Sequence, residues 1–600
     1  MASLQKLIQL REVMLRENID AFTIPKADEH QGEYVPPYSE RLLWLTNFNG
    51  SAGFAIILQD KAGLFVDGRY TLQAAQQIDT TCFEIVPLAE MSGPTWLTHH
   101  LKPGAKLAYD PWLTTEREIQ GYEKSLESKN IEFSPVEKNL VDQIWIDRPQ
   151  KSAHSIYIHP LEFAGQDFKD KLTIIAHELK KKQASAGVVT MTESVSWLFN
   201  IRGNDYDFIP TMSSYAIVYE TGKADLFIDE KKVPYDVRQY LKAVVTIKPF
   251  ESFEKTLQDI GQLKARVIID PLTAPVQSIY AVEKAGGKVL RGDEPTTHLK
   301  ACKNKAELEG MRRAHIRDGA ALTTFLHWIS QEGPQGNVDE LQAVEKILAC
   351  RQKFPEFKIP SFSTISGTGP NGAVIHYRVN SETNRTIAPN DIYLIDSGGH
   401  YSDGSTDVTR TIAIGETTPE QRDRFTRVLK GHIALATSIF PQGTSGSQLD
   451  ILARSALWQV GLDYAHGTGH GVGAVLNIHE GPQRISSVPN HVSLKPGMIL
   501  SNEPGYYKEN SYGIRIENLM IVQSLDIPDA EKRMLGFETI TLAPIDLKLI
   551  EKSLLTDLEI KWLDDYHQAV YEKLSPLLEE EVREWLKETT LSFRNYCIKM

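Results

Sequence analysis

The sequence predicts an α/β (α+β) chain of several domains, and three observations carry that expectation. The chain is 600 residues long, a strand–turn–strand signature occurs twice in its first half, and its second half opens on a long amphipathic helix before turning to short apolar strands between glycine-rich turns. A chain of this length exceeds what one hydrophobic core can organise, so two to four domains are expected.

The repeat comes first. Residues 44–50 read WLTNFNG and residues 197–203 read WLFNIRG, sharing Trp, Leu, Asn and Gly in register. Each is followed by an apolar strand, AGFAIIL at 52–58 and YAIVY at 215–219, and then by a second, LFVD at 64–67 and LFID at 226–229. Three matched segments in the same order point to a duplicated α/β unit. Turn-forming composition around Asp147-Arg148-Pro149-Gln150 separates the copies, and Gly292-Asp293-Glu294-Pro295 marks the exit from the second. From Lys305 to Gln331, Leu308, Met311, Ala314, Ala321, Leu322, Phe325, Leu326 and Ile329 recur at largely helical spacing, so a long helix opens the third domain. The tail carries two amphipathic stripes. Trp562, Leu563, Tyr566 and Val570 form one; Leu578, Val582, Trp585 and Leu586 form the other, with Ser575-Pro576 expected as its cap and first helical position. Such stripes serve as core more often than as a dimer surface.

Apolar residues make up 41% and charged residues 24%, the balance of a folded globular chain. With 65 Lys and Arg against 78 Asp and Glu, the net charge is −13, which argues against nucleic acid as a partner because phosphate binding needs a basic face. Cys82, Cys302, Cys350 and Cys597 are scattered with no CxxC pair. This excludes a thiolate zinc site, does not suggest a disulfide framework and fits a reducing compartment. The opening MASLQKLIQLREVMLREN spaces its apolar residues helically with charges between them and lacks the continuous apolar core of a signal peptide. No apolar run reaches the length of a membrane span. A cytoplasmic protein without membrane contact is expected, in which the Asn384-Arg385-Thr386 sequon is incidental.

Residues able to carry chemistry gather in the second half. The stretch IYLIDSGGHYSDGSTDVTRTIAIG, 392–415, reads as a hairpin in which Asp396 ends an apolar strand and Asp407 begins the returning one. A carboxylate so placed is costly to bury without a counter-charge, although capping a turn is the commoner role for Asp. In HGTGHGVG, 466–473, glycines flank His470 and leave its imidazole accessible. The run has neither a Walker lysine nor GxGxxG spacing, which ranks a nucleotide cradle low. Of His466, His470 and His479, one is expected as a ligand and two beside it or facing substrate. Glu503, in ILSNEPGYY, follows a short strand, and YGIRIENLMIV, 512–522, alternates as one strand with Arg515, Glu517 and Leu519 on a common face. Arg515 with Glu517 reads equally well as a structural salt bridge. Together, four carboxylates and one imidazole form an oxygen-rich set suited to hard or borderline divalent ions such as Mn2+. Their mutual repulsion is offset by two ions sharing ligands, roughly 3.5–4 Å apart in sites of this kind, and the expected chemistry is hydrolysis by a hydroxide between the ions.

The ordered set Asp396, Asp407, His470, Glu503 and Glu517, with HGTGHGVG, IHEGP (478–482), NEPGYY and GIRIEN, resembles the Xaa-Pro aminopeptidases (aminopeptidase P, long three-domain cytosolic form) of the creatinase/prolidase "pita-bread" metallopeptidases. The resemblance spans essentially the whole chain. It implies two creatinase-like N-terminal domains at 1–150 and 151–298, then a pita-bread catalytic domain at 299–600 whose helical extension begins near residue 545. It implies that Asp407 and Glu517 bridge two ions, that Asp396 completes one shell, and that His470 and Glu503 complete the other, Glu503 serving also as general base. By the same resemblance His376, in AVIHY, helps to donate a proton or position the scissile amide, His479 stabilises the tetrahedral oxygen, His466 lies near the proline pocket and Arg515 orients the ligands. The implied cofactor is two divalent ions per subunit, with Mn2+ preferred, and the implied partners are peptides with an Xaa-Pro N-terminus and a second copy in a homodimer. A proline amide has no N–H, so its pocket must recognise ring shape. Two alternatives stand beside this reading: a prolidase-type Xaa-Pro dipeptidase on the same fold, and a non-catalytic pita-bread binding module, whose signature would be lost ligands.

Overall fold

A computed structural model describes the backbone of residues 2–599. It divides into two compact units, Met1–Thr297 and His298–Met600.

The first unit holds two six-stranded sheets. One is made of β1 (Ala21–Pro25), β2 (Phe54–Leu58), β3 (Ala62–Val66), β4 (Glu84–Pro87), β5 (Lys106–Tyr109) and β6 (Glu132–Pro135); the other of β7 (Ala186–Val189), β8 (Tyr215–Tyr219), β9 (Ala224–Phe227), β10 (Val245–Lys248), β11 (Arg266–Ile269) and β12 (Lys288–Arg291). Their orders are β4-β3-β2-β1-β5-β6 and β10-β9-β8-β7-β11-β12, the same topology twice. In each sheet the first strand pairs antiparallel with the second and parallel with the fifth. Inner strands such as β3, β7 and β9 are buried along their whole length, as expected where both sheet faces are covered. The repeated Trp-Leu-x-Asn also has a local cause. The helices Arg41–Thr46 and Thr192–Phe199 both stop at this asparagine, and Asn47 and Asn200 adopt left-handed conformations with φ of 66° and 51°. Asn tolerates that geometry better than most residues with a Cβ and ends the helix.

In the second unit, the helix Lys305–Glu332 starts at Asn304, whose side chain accepts the Ala306 and Glu307 N–H groups while Glu307 reaches back in a capping box. Three strands follow as one antiparallel sheet: β13 (Ile365–Thr368), β14 (Asp391–Ser397) and β15 (Val408–Ile414). A six-stranded sheet includes β16 (Gly469–Gly471) and β17 (Ile499–Asn502), and β18 (Gly505–Lys508) pairs with β19 (Tyr512–Arg515) as a separate hairpin. The expected single strand across 512–522 is broken: β19 ends at Arg515 and β20 (Asn518–Leu525) begins at Asn518. The chain changes sheet there, since β19 pairs with β18 whereas β20 pairs with β17. Ile516 donates to the Pro504 carbonyl and Glu517 to that of Thr409, so the break is fixed by hydrogen bonds.

The tail helices are Asp557–Leu574 and Glu580–Thr589, with a further one at Phe593–Lys599. Ser575-Pro576 does not cap the second; it forms a 3-10 turn, Ser575–Leu577, and Glu579 is the N-cap. Proline's fixed φ suits either turn, which is why local sequence did not separate them. Leu563, Val570 and Leu586 are fully buried and share a core with Val428, Leu429 and Ile514, so the stripes are core. Among the described residues Cys82, Cys302 and Cys350 are free thiols; the side chain of Cys597 lies outside them.

His567 of the first tail helix is fully buried and accepts the Ile545 N–H through Nε2 at 3.0 Å. Burial, then the nearby Arg410 cation, hold its pKa down at about 3. The unfolded chain takes up this proton below about 6.5, and the folded chain does not until near 3. The neutral-His contribution is therefore complete above pH 6.5 and lost as pH falls through that window, at up to about 1.4 kcal/mol per pH unit. His432, held at about 3 by burial and Arg410, acts in the same sense. Urea unfolding should give a stability that drops from pH 7 to pH 5, with a shallower drop in His567→Gln; equal slopes would contradict this.

Candidate metal centre

Five elements converge on one buried site. β14 and β15 pair with Asp396 opposite Thr409 and Ser397 opposite Val408, which sets Asp396 near the end of one strand and Asp407 at the start of the next. His470 is the middle residue of β16, and Glu503 directly follows β17, where its N–H donates to the Thr468 carbonyl at 2.8 Å. Glu517 occupies the break between β19 and β20. Gly469 and Gly471 let β16 pack closely, since a Cβ would stand 2.0 Å from the Ser501 carbonyl oxygen at the first and 2.1 Å from that of Glu480 at the second.

Three groups of side chains bring donor atoms within 4.8 Å of one another: Asp396, Asp407 and Glu517; His470, Glu503 and Glu517; and Asp407, His470 and His479. Asp407, His470 and Glu517 each belong to two of them. His470 Nε2 stands 3.6 Å from Asp407 Oδ2 and 3.4 Å from Glu503 Oε1. Its Nδ1 lies 3.0 Å from the Gly471 carbonyl, so the ring proton is held there and the Nε2 lone pair faces the carboxylates. Arg515 Nη2 donates to Asp396 Oδ2 at 2.7 Å, and Thr409 Oγ1 donates to Glu517 Oε2 at 2.8 Å while accepting from Arg515 Nε at 3.1 Å.

The electrostatics call for cations. Asp396, Asp407 and Glu517 are all buried. Burial and then the charges of Glu517, Asp396 and Glu503 push the Asp407 carboxyl well above the usual carboxylate range. Burial, Asp396 and Glu503 raise Glu517 likewise, with Arg515 opposing. Asp396 Oδ1 is buried without a hydrogen-bond partner among the described residues. Carboxylate oxygens, one imidazole nitrogen of the right tautomer and an orphaned acceptor fit a pair of divalent ions and hold no thiolate.

The other sequence-predicted residues take distinct places. His479 stands in the third group, its ring edge-on to His470 at 4.4 Å between centroids. His466 Nε2 lies 2.9 Å from the Tyr507 hydroxyl, which accepts from Arg515 Nη1 at 2.7 Å, so His466 is tied to the site through Tyr507. His376 is in none of the three groups; it is half-buried in the loop after β13. Buried Glu340 clamps that loop, accepting the Thr368 N–H at 2.8 Å, Asn371 Nδ2 at 2.9 Å, the Tyr377 hydroxyl at 3.0 Å and the Arg385 N–H at 3.1 Å. Sequence reasoning missed Tyr507, Thr409, Ser501 and Glu340. Ser501 accepts the His470 N–H at 2.9 Å and donates to Glu503 Oε1 at 3.1 Å. Adjacency to the ligand motifs was the available signal for the first three, and Glu340 carried none.

The model of metallopeptidase family M24 matches residues 309–524, creatinase/prolidase N-terminal domain models match 6–144 and 147–307, and the C-terminal region of peptidase M24 matches 533–593. The probable Xaa-Pro aminopeptidase P of Coprinopsis cinerea is 42% identical over 617 residues, covering 98% of each chain. The crystal structure of an X-prolyl aminopeptidase from Caenorhabditis elegans, described as a cytosolic enzyme with a di-nuclear active site, superposes with a TM-score of 0.94 at 33% identity over 99% of this chain and 100% of that one. An Xaa-Pro dipeptidase from Bacillus anthracis, at 22% identity and a TM-score of 0.50, covers 63% of this chain and 99% of its own, and shares the fold alone. Two creatinase N-terminal domains, an M24 pita-bread domain and relatives aligned over nearly their whole length place the chain in the Xaa-Pro aminopeptidase P group of metallopeptidase family M24.

Proposed function

We propose that the protein is a two-metal exopeptidase that releases the N-terminal residue from peptides with proline in second position. The observation that carries this is the overlap of the three donor groups, in which two carboxylates, Asp407 and Glu517, and one imidazole, His470, each take part twice. A carboxylate offers an oxygen to each of two ions, whereas His470, its Nδ1 held by the Gly471 carbonyl, offers one nitrogen. This supports Asp407 and Glu517 as the residues shared between two ions, Asp396 as the further ligand of one, and His470 with Glu503 as the further ligands of the other. When bound, such ions neutralise the carboxylates, polarise the scissile carbonyl and ease deprotonation of the attacking water.

The chain's own residues do the rest. Glu503, oriented by the Ser501 hydroxyl on Oε1, takes a proton from the water. His479, beside His470, stabilises the tetrahedral oxygen, and His376, on the loop clamped by Glu340, positions the scissile amide or delivers a proton to its nitrogen. His466 faces the proline pocket. Arg515 fixes Asp396 on one side and, through the Tyr507 hydroxyl, His466 on the other. The oxygen-rich donor set supports Mn2+ as the resident ion. The cytosolic description of the C. elegans enzyme supports the same compartment here, no described helix being long and apolar enough to cross a membrane, and a homodimer follows the family resemblance.

A panel of Xaa-Pro, Xaa-Pro-Yaa and Xaa-Ala-Yaa peptides tests the assignment. Release of free Xaa from the Xaa-Pro-Yaa member is expected, with Xaa-Ala-Yaa left largely intact. Efficient cleavage of the dipeptide alone would make the protein a prolidase-type dipeptidase instead.

A further inference from the structure

The first unit contains a cavity of about 1130 Å3, larger than a drug-sized ligand requires. Its apolar wall is an aromatic stack: Tyr215 lies 5.0 Å from Phe250 and 4.2 Å from Phe253 between ring centroids, at 24° and 21°. Tyr38 also lines it and donates its hydroxyl to Glu29 Oε1 at 3.0 Å. Seven carboxylates line the cavity against four cationic side chains, and two of those cations, Arg41 and Arg148, are engaged by Asp142 at 2.7 and 2.6 Å.

Lys151 occupies this setting in an informative way. Its Nζ stands 5.2 Å from the centre of the Tyr38 ring and 5.0 Å from that of Phe250, within reach of both π faces. It makes no ion pair with a carboxylate within 4 Å among the described residues, and it is otherwise exposed. Lys151 follows directly on the Asp147–Gln150 segment, and its ammonium lies over the two rings. Glu29 shows what the seat attracts: burial alone would raise its carboxyl, but His30 and Lys151 outweigh burial and keep it below the usual range, so a negative charge persists behind the aromatic wall. A packed lysine accounts for one ammonium on two rings. It does not account for a cavity many times the volume of that group, with further acids around it.

We propose that this cavity is a binding site for an organic cation, a primary ammonium or guanidinium on an apolar stem, with Lys151 as the internal group that such a ligand displaces. Aromatic faces bind the cation and its stem, and Glu29 supplies the counter-charge. Polyamines and basic side chains of peptides share this chemistry.

The test uses the full-length, metal-loaded protein at physiological salt, titrated calorimetrically with spermidine and, separately, with N-acetyl-arginine amide. Saturable binding is expected for one or both probes, tightened about fivefold or more in Lys151→Ala because the competing ammonium is gone. It should weaken about tenfold in Glu29→Gln and in Phe250→Leu, which keeps apolar bulk but removes the π face. Tighter binding of spermidine would identify a polyamine site and tighter binding of the arginine amide a basic-peptide site. Xaa-Pro-Yaa hydrolysis should be unchanged in Lys151→Ala and Phe250→Leu, and both variants should still melt cooperatively. Absence of saturable binding in Lys151→Ala, or binding indifferent to Phe250→Leu as for general attraction to an acidic surface, would overturn the proposal.

Discussion

Asp407→Asn is expected to lower kcat/KM by at least about 100-fold, since even residues that only orient metal ligands are worth 10–100-fold. Asparagine keeps the shape and one acceptor oxygen but removes the charge, and a shared ligand must serve two ions at once. Metal content should fall below that of the wild type after dialysis against the same Mn2+ concentration. A second, opposite effect separates this role from simple damage. In the metal-free chain, Asp407 is a buried carboxyl facing Glu517, Asp396 and Glu503, and its presence is a cost. The metal-free variant should therefore melt above the metal-free wild type, while gaining less on addition of Mn2+. Unchanged metal stoichiometry in Asp407→Asn would remove the proposed shared role.

Glu480→Ala should produce the largest loss of stability among single substitutions near the site. Glu480 is buried between two buried lysines, with Lys300 Nζ 2.8 Å from Oε2 and Lys303 Nζ on Oε1. Burial alone would raise this carboxyl, but the two ammonium groups outweigh it and hold it below the usual range. Removing the one carboxylate leaves two buried cations facing each other, and breaking a buried pair in this way costs about 3–5 kcal/mol. The effect should reach catalysis as well, because Glu480 follows His479 and opens the strand Glu480–Ile485 beside β16, its partner there being Gly471. Urea unfolding at saturating Mn2+ measures it; a loss below about 1 kcal/mol would mean that the lysines find water or another acceptor.

Much of the site was legible because the proposed ligands stand where apolar strands stop. Asp396 closes IYLI and Glu503 follows IL-Ser-Asn, so the sequence marks each as a charge at the end of a buried element. The duplication was legible because the shared asparagine has a backbone task, the left-handed helix stop at Asn47 and Asn200. What stayed hidden depends on partners far apart in the chain. The alternation from Tyr512 to Val522 continues straight through Glu517, and only the competing pairings of β19 with β18 and β20 with β17 reveal the break there. Tyr507, Thr409 and Ser501 are residue types common in any strand or turn, and their roles arise from hydrogen bonds to Arg515, Glu517 and Glu503. Glu340 looked like an ordinary first-turn helix acid, yet it gathers both ends of the loop that carries His376. Arg410 was equally silent: fully buried, it donates to the carbonyls of Pro544, Thr409, Glu517 and Ala543 and to Asn518 and Tyr566, joining the tail helix to the break at Glu517.

The dinuclear site is tested most directly by stripping the protein exhaustively with a chelator and titrating Mn2+ back while following Xaa-Pro-Yaa hydrolysis and bound metal together. Activity should vanish on stripping and return in step with uptake of two ions per chain. Full activity in the metal-free protein, or full recovery at one ion per chain, would contradict it.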